Sequence, residues 1–322
     1  VRTAAVVLNP TKTDQHRLQG VLDAAAVRHG WGSTRWYPTA AGDGGRAAAR
    51  AAAGSAPDVI LAVGGDGTLR IVAEELRGTG IPVAVLPTGT GNLFARNLGL
   101  PRNDVDAVID TVFTGTDRQI DLGLAELTHA DHSTSEHVFL VMAGIGLDAS
   151  MAADTNAWVK KRFGWVAYSD PIARSVIGNR QIPIRYRLDN GPARSMRAHT
   201  IIVGNCGTLT AGVLLLPRAE PDDGILDAVA FRPNGWFGWT KIGYTLTLNR
   251  FFARTGFGRV LAKVLPRSRA LPTTRARNLR LDLDTPERVQ LDGDPFGTVR
   301  SVTLTTHHCG LTLRTSPRLG AR

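Results

Sequence analysis

Cysteine is scarce in this chain: only Cys206 and Cys309 occur in 322 residues. Their separation has no metal-ligand spacing, which argues against a disulfide framework and fits a cytosolic, reducing compartment. Long apolar runs are also missing, so no segment has the length needed to span a bilayer. The start, Val1 to Asn9, is a short β-like run without a charged n-region or cleavage site, so no signal peptide is expected there. An initiator Met is absent too, which leaves residues upstream open. Acidic residues vanish locally. From Phe231 to Leu281 there are 11 Lys or Arg and no Asp or Glu. No internal repeat and no low-complexity linker interrupts the chain.

What is present describes a globular protein. Hydrophobic residues make up 43% and charged residues 20%, outside the range of a disordered chain. The length exceeds one ordinary core, so two domains are expected. The formal charge of +10 is carried by the acid-free stretch, the rest of the chain being close to neutral. Such a basic field attracts an anionic surface: a membrane leaflet, a nucleic acid or a phosphorylated ligand.

The first third alternates two periodicities. Strand-like runs at Ala4–Leu8, Thr34–Tyr37, Val59–Val63 and Pro82–Leu86 are separated by helix-like runs at Asp14–His29 and Gly44–Ala53, and by a helix after Thr68 reaching about Leu76. This βαβα rhythm predicts an α/β domain over 1–117 with a doubly wound, mostly parallel sheet. Beyond it, half-polar strands dominate: 118–124, 137–142, 182–188, 199–203, 226–231, 278–283, 288–291 and 299–305. Helices are expected near 150–177 and 235–265. The second domain, 118–310, is therefore read as an antiparallel β-sandwich. A last strand near 311–314 is a candidate to return to the first domain.

Chemistry concentrates in Gly64-Gly65-Asp66-Gly67-Thr68. It follows an apolar strand and opens a helix, where glycines let backbone N–H groups approach phosphate oxygens and the helix dipole favours anions. Asp66 beside phosphates implies a bound Mg²⁺ or a proton to accept; its bland alternative is a helix cap. One strand later, Pro87-Thr88-Gly89-Thr90-Gly91-Asn92 repeats the arrangement. Together the two loops form facing glycine-rich walls suited to ATP.

These motifs, with Asn9-Pro10, Thr39, Gly42-Asp43, the continuation to Pro101, Ile120-Asp121-Leu122-Gly123, Gly144 to Ala149, Asp222 to Asp227 and Leu291-Asp292-Gly293-Asp294, resemble the diacylglycerol kinase catalytic family, which includes bacterial lipid kinases and sphingosine kinases. The resemblance implies a nucleotide domain similar to that of NAD kinases and phosphofructokinases, followed by a β-sandwich. It implies nucleotide contacts from Asn9, Thr39, Gly64, Gly65, Asp66, Gly67, Thr68, Leu69, Arg70, Thr88, Gly89, Thr90 and Asn92. It further implies a Mg²⁺ site at the Asp222-Asp223-Gly224 loop, using the Asp223 carboxylate and the carbonyls of Glu220 and Ile225; an ordinary Asp-Gly turn is the alternative. The family's catalytic base, a Glu after an Asp-Gly pair, corresponds to Asp294, one methylene shorter, with Asp66 as the second candidate; the alternative for Asp294 is a hairpin-turn residue, since Asp292-Gly293 is a strong turn signal. Leu93 stands where many relatives carry Asp, so that polar network is either rebuilt through Asp121 or dispensed with. Asp148 sits in a Gly-x-Gly-x-Asp run, as a site residue or as a helix N-cap.

Two segments mix aromatic and basic residues, Gly235 to Leu265 and Trp158 to Trp165. That composition suits a helix lying on an anionic membrane, although most amphipathic helices face their own core. The expectation is an ATP- and Mg²⁺-dependent kinase acting on a lipid hydroxyl, diacylglycerol by default and a sphingoid base or other lipid alcohol as variants. It would be cytoplasmic and peripheral at the inner membrane surface. An NAD kinase and a non-catalytic membrane-surface protein are the alternatives. No nucleic-acid motif accompanies the charge. A homodimer is left open.

Overall fold

The computed structural model describes residues 1–102, 104–146, 181–209, 213–232 and 272–316. In chain order the elements are β1 (Ala4–Leu8), α1 (Gln15–Arg28), β2 (Arg35–Pro38), α2 (Arg46–Gly54), β3 (Val59–Gly64), α3 (Asp66–Leu76), β4 (Val83–Pro87), α4 (Leu93–Asn97), α5 (Val105–Thr114), β5 (Thr116–His129), β6 (Thr134–Phe139), β7 (Met142–Ile145), β8 (Ile182–Leu188), β9 (Arg194–Ala198), β10 (Thr200–Gly204), β11 (Leu226–Phe231), β12 (Thr273–Ala276), β13 (Asn278–Leu291) and β14 (Asp294–Thr315). They fall into two units, one of residues 1–122 and 307–322, the other of residues 123–306.

In the first unit the strand order is β2-β1-β3-β4-β14, and each neighbouring pair is parallel. β1, β3 and β4 are buried along their whole length, as strands covered on both faces must be. Alternate residues split between those faces. Val6, Leu8, Leu61, Val63 and Leu86 pack with Leu18 and Leu22 of α1 and with Ile109 and Val112 of α5, each such side chain contributing about 1.5–3 kcal/mol on burial. α1 begins at Asp14, whose carboxylate accepts from Arg17 N at 3.2 Å, a local N-cap. α5 was not anticipated. Its Val, Ile and Thr content masks the helical period, while Asp104 caps it through Ala107 N at 2.9 Å. The return near the C-terminus is real: Leu313 of β14 pairs with Val83 of β4.

The second unit is built from antiparallel pairs. β13 is one 14-residue strand rather than two short ones. Residues 279–283 pair with β8 and residues 289–291 with β7. Register shifts between Asp282 and Glu287 and between Arg288 and Gln290 separate these stretches; bulges of this kind bend a strand. One run then continues β7-β10-β11-β12, and another joins β9-β8-β13-β14. Their inward residues, among them Ile145, Val203, Leu281, Val289 and Val302, form one core.

Candidate functional site

Asn9, Thr39, the Gly64 run and the Thr88 run all lie at the carboxyl ends of β1, β2, β3 and β4, the edge where open α/β sheets bind ligands. β3 and β4 are neighbours, with Gly64 paired to Pro87, and Thr88 N donates to Gly64 O at 2.9 Å. The two glycine loops are therefore adjacent, and together with Leu69, Val85 and Ala95 they line one cleft. The approach is close enough to demand glycine. A Cβ on Gly89 would lie 2.7 Å from Gly65 Cα, and one on Gly64 would lie 2.5 Å from Thr68 Cβ.

Asp66 is the first residue of α3, and the N-cap position belongs to Gly65, which has no side chain to offer. The first N–H groups of α3 thus keep the donor capacity that an anion uses. Asp66 Oδ1 accepts from Phe94 N at 3.2 Å, and a Cβ on Gly91 would stand 3.1 Å from Oδ2. Asn92 closes its own loop. Its Oδ1 accepts from Gly89 N at 3.1 Å and its Nδ2 donates to Gly89 O at 2.7 Å. Asn92 itself has a positive φ of 47°. Thr88 Oγ1 is buried with no hydrogen-bond partner among the described residues, a hydroxyl free for a ligand oxygen.

The flanking positions are equally local. Asn9 Oδ1 accepts from Thr11 N and Oγ1 at 3.1 and 2.7 Å, and Thr39 N donates to Leu8 O at 2.8 Å. Asp43 accepts from Ala47 N at 2.7 Å and Gly45 N at 2.9 Å, and these amides hold its carboxyl below the usual range. Leu69 is buried as a core side chain, and Arg70 is also buried, with Nη1 4.0 Å from Glu74. Sequence reasoning missed Lys12. Its Nζ would be 3.6 Å from a Cβ on Gly65, so an ammonium group faces the phosphate-type loop. Only the turn after β1, with Lys12 N donating to Asn9 O, brings it there.

In the second unit, Asp292 and Gly293 both have positive φ, 52° and 92°, and Leu291 pairs with Asp294, the geometry of a two-residue hairpin. The buried Asp292 carboxylate accepts from Leu140 N, Val141 N and Met142 N at 2.8, 2.8 and 3.0 Å. That anchor sets the half-buried Asp294 as the first residue of β14. At the 220–225 loop, Asp223 Oδ1 accepts from Ile225 N at 3.0 Å and Oδ2 takes Arg275 Nη2. Arg275 Nε also holds Asp227 at 3.1 Å. Burial pushes both carboxyls upward, against the pull of Arg275. The guanidinium and a Mg²⁺ ion would compete for Asp223, so the residues present do not fit the ion while Arg275 is in place. Glu220 is exposed beside this loop. Asp121 is fully buried in the first unit, accepting from His308 Nδ1 at 2.7 Å and Cys309 N at 2.9 Å. Asp148 and the aromatic-basic segments at 158–165 and 235–265 lie outside the described residues.

Comparisons with known proteins agree with this layout. Residues 3–125 match the diacylglycerol kinase catalytic domain, and residues 140–239 match the YegS C-terminal NAD kinase β-sandwich-like domain. A diacylglycerol kinase of Mycobacterium tuberculosis is 31% identical over 177 residues, 55% of this chain and 56% of that protein. The chain thus spans about half the length of such curated relatives. A Stenotrophomonas maltophilia protein named "Probable lipid kinase YegS-like" is 31% identical over 246 residues, 74% of this chain and 72% of that one. The crystal structure of a diacylglycerol kinase from Bacillus anthracis shares the fold, with a TM-score of 0.72 at 20% identity over 99% of this chain and 98% of the other. By these matches this chain belongs to the diacylglycerol kinase catalytic-domain family of lipid kinases.

Proposed function

We propose that this protein transfers the γ-phosphoryl group of ATP to a lipid hydroxyl, with diacylglycerol as the acceptor and phosphatidic acid as the product. The observation that carries this reading is the juxtaposition of two glycine loops at the ends of β3 and β4, with Asp66 between them. The uncapped start of α3, the Gly65 backbone and the Lys12 ammonium supply positive potential where phosphates would lie. Asp66 is the carboxylate that would hold Mg²⁺, which when bound neutralises charge on the transferring group. Asp294 is the proposed proton acceptor for the lipid hydroxyl, its place set by the Asp292 anchor. The relatives' names support a lipid over NAD as acceptor. The acid-free basic stretch supports docking on an anionic leaflet, at the cytoplasmic face of the membrane. Among the described residues no helix is long and apolar enough to cross a membrane.

The test is labelled ATP offered with diacylglycerol, a sphingoid base and NAD, comparing wild type with Asp294→Asn. Label on diacylglycerol, abolished in the variant while ATP still binds, is the expected result. Label on NAD alone would overturn the reading. Near-normal turnover by the variant would move the base to Asp66.

A further inference from the structure

Asp121, His308 and Cys309 come together in the first unit from two strands, β5 and β14. One ligand atom from each lies within 4.8 Å of the others. Neighbouring residues of a regular strand point to opposite faces, so His308 and Cys309 should not share a partner. Here they do, because Cys309 has a φ of +55°, a left-handed conformation uncommon for a residue with a side chain. At this kink the His308 Nδ1 and the Cys309 backbone N–H both bond the one buried carboxylate, and the Cys309 thiol lies within 4.8 Å of it. Asp121 is 0% exposed, whereas the His308 side chain is 61% exposed and Cys309 is also at the surface. The cluster is thus open to solvent on one side and anchored on the other.

We propose that Asp121, His308 and Cys309 bind a divalent transition ion of the zinc class. Imidazole nitrogen, thiolate sulfur and carboxylate oxygen are the ligand set of such ions, and sulfur disfavours Mg²⁺. Ligand atoms around tetrahedral Zn²⁺ sit roughly 3.5 Å apart, so rotation of the exposed side chains closes the remaining gap. Three protein ligands leave the fourth position to water. Binding as thiolate releases the thiol proton to solvent, and the imidazole binds neutral, keeping its one N–H on the nitrogen that does not face the ion. The ion would tie β5 to β14 within the first unit. Its test reads metal binding and does not depend on the kinase reading.

Titration of chelator-stripped protein with Co²⁺ provides the test. One equivalent should bind and produce sulfur-to-cobalt charge-transfer absorption. Cys309→Ser should abolish that absorption, and His308→Ala should weaken Co²⁺ binding at least about tenfold. Cys206→Ser should leave it unchanged, since burial keeps that thiol protonated. Zn²⁺ should displace Co²⁺ and raise Tm in wild type but not in Cys309→Ser; millimolar Mg²⁺ should do neither. Circular dichroism confirms that the surface variants fold. Absence of the sulfur band, or a band that survives Cys309→Ser, overturns the proposal.

Discussion

Asp66 Oδ1 accepts the backbone N–H of Phe94 at 3.2 Å, so the acid of one glycine loop caps the short helix that follows the other. One carboxylate therefore has a structural duty through Oδ1 and, under the proposed function, a chemical one through Oδ2. Asp66→Ala should lose both: about 1 kcal/mol of stability, as for a lost helix cap, and at least about 100-fold in turnover. Asp66→Asn keeps an acceptor for Phe94 and should denature like wild type while remaining inactive. Denaturant melts and lipid phosphorylation separate the two effects. An active Asp66→Asn would remove Asp66 from the chemistry.

Gly89 and Gly20 make a contrasting pair. A Cβ at Gly89 would meet Gly65 Cα at 2.7 Å and Asn92 Oδ1 at 2.8 Å, whereas Gly20, inside α1, has nothing within 4 Å. Gly89→Ala should cost about 1–3 kcal/mol through forced backbone shifts and lose ATP binding. Gly20→Ala should stabilise α1 by about 0.5–1 kcal/mol. Chemical denaturation measures both, and equal effects would contradict the proximity of the two loops.

Lys12 places its ammonium beside Gly65. Lys12→Met should raise the KM for ATP about tenfold, the loss of one charge-assisted contact, with kcat little changed. Steady-state kinetics at fixed ionic strength decides this. An unchanged KM would leave Lys12 a surface residue.

Arg275 bridges Asp223 and Asp227. Arg275→Ala leaves two carboxylates together without their cation and should cost about 1–3 kcal/mol. It also frees Asp223 for Mg²⁺. Magnesium should therefore raise the Tm of the variant, while removing Mg²⁺ from protein already stripped of transition ions leaves the wild-type Tm unmoved. A wild-type Tm that drops on chelation of Mg²⁺ would show that the ion, not the guanidinium, holds the loop.

Asp43 bears on pH. Backbone amides of Ala47 and Gly45 lower its folded pKa, so its contribution is present above the ordinary aspartate value of about 3.9. It is lost as pH falls through the lowered folded value. The stability gap between wild type and Asp43→Asn should be constant near neutrality and shrink on acidification below about pH 5. Denaturant melts across that range follow it. Asp223 and Asp227, whose pKa values are raised by burial, carry the opposite sign, since their folded forms favour the proton.

What the sequence determined by itself was local. Apolar runs such as Val59–Val63 declare buried strands, and Gly64 to Thr68 declares a strand-to-helix turn, because periodicity and backbone freedom are written in consecutive residues. The hairpin at Asp292-Gly293 was legible for the same reason. α5 was hidden where β-branched residues outweighed the helical period, and β13 appeared as two strands because bulges break alternation. The tertiary structure decided what stands opposite what. It brought Lys12 to Gly65, Arg275 to Asp223, Asp292 to three distant amides, and Asp121 to His308 across 187 positions. These are meetings of side chains and amides across separate segments, set by strand order and register, and no spacing along the chain encodes them.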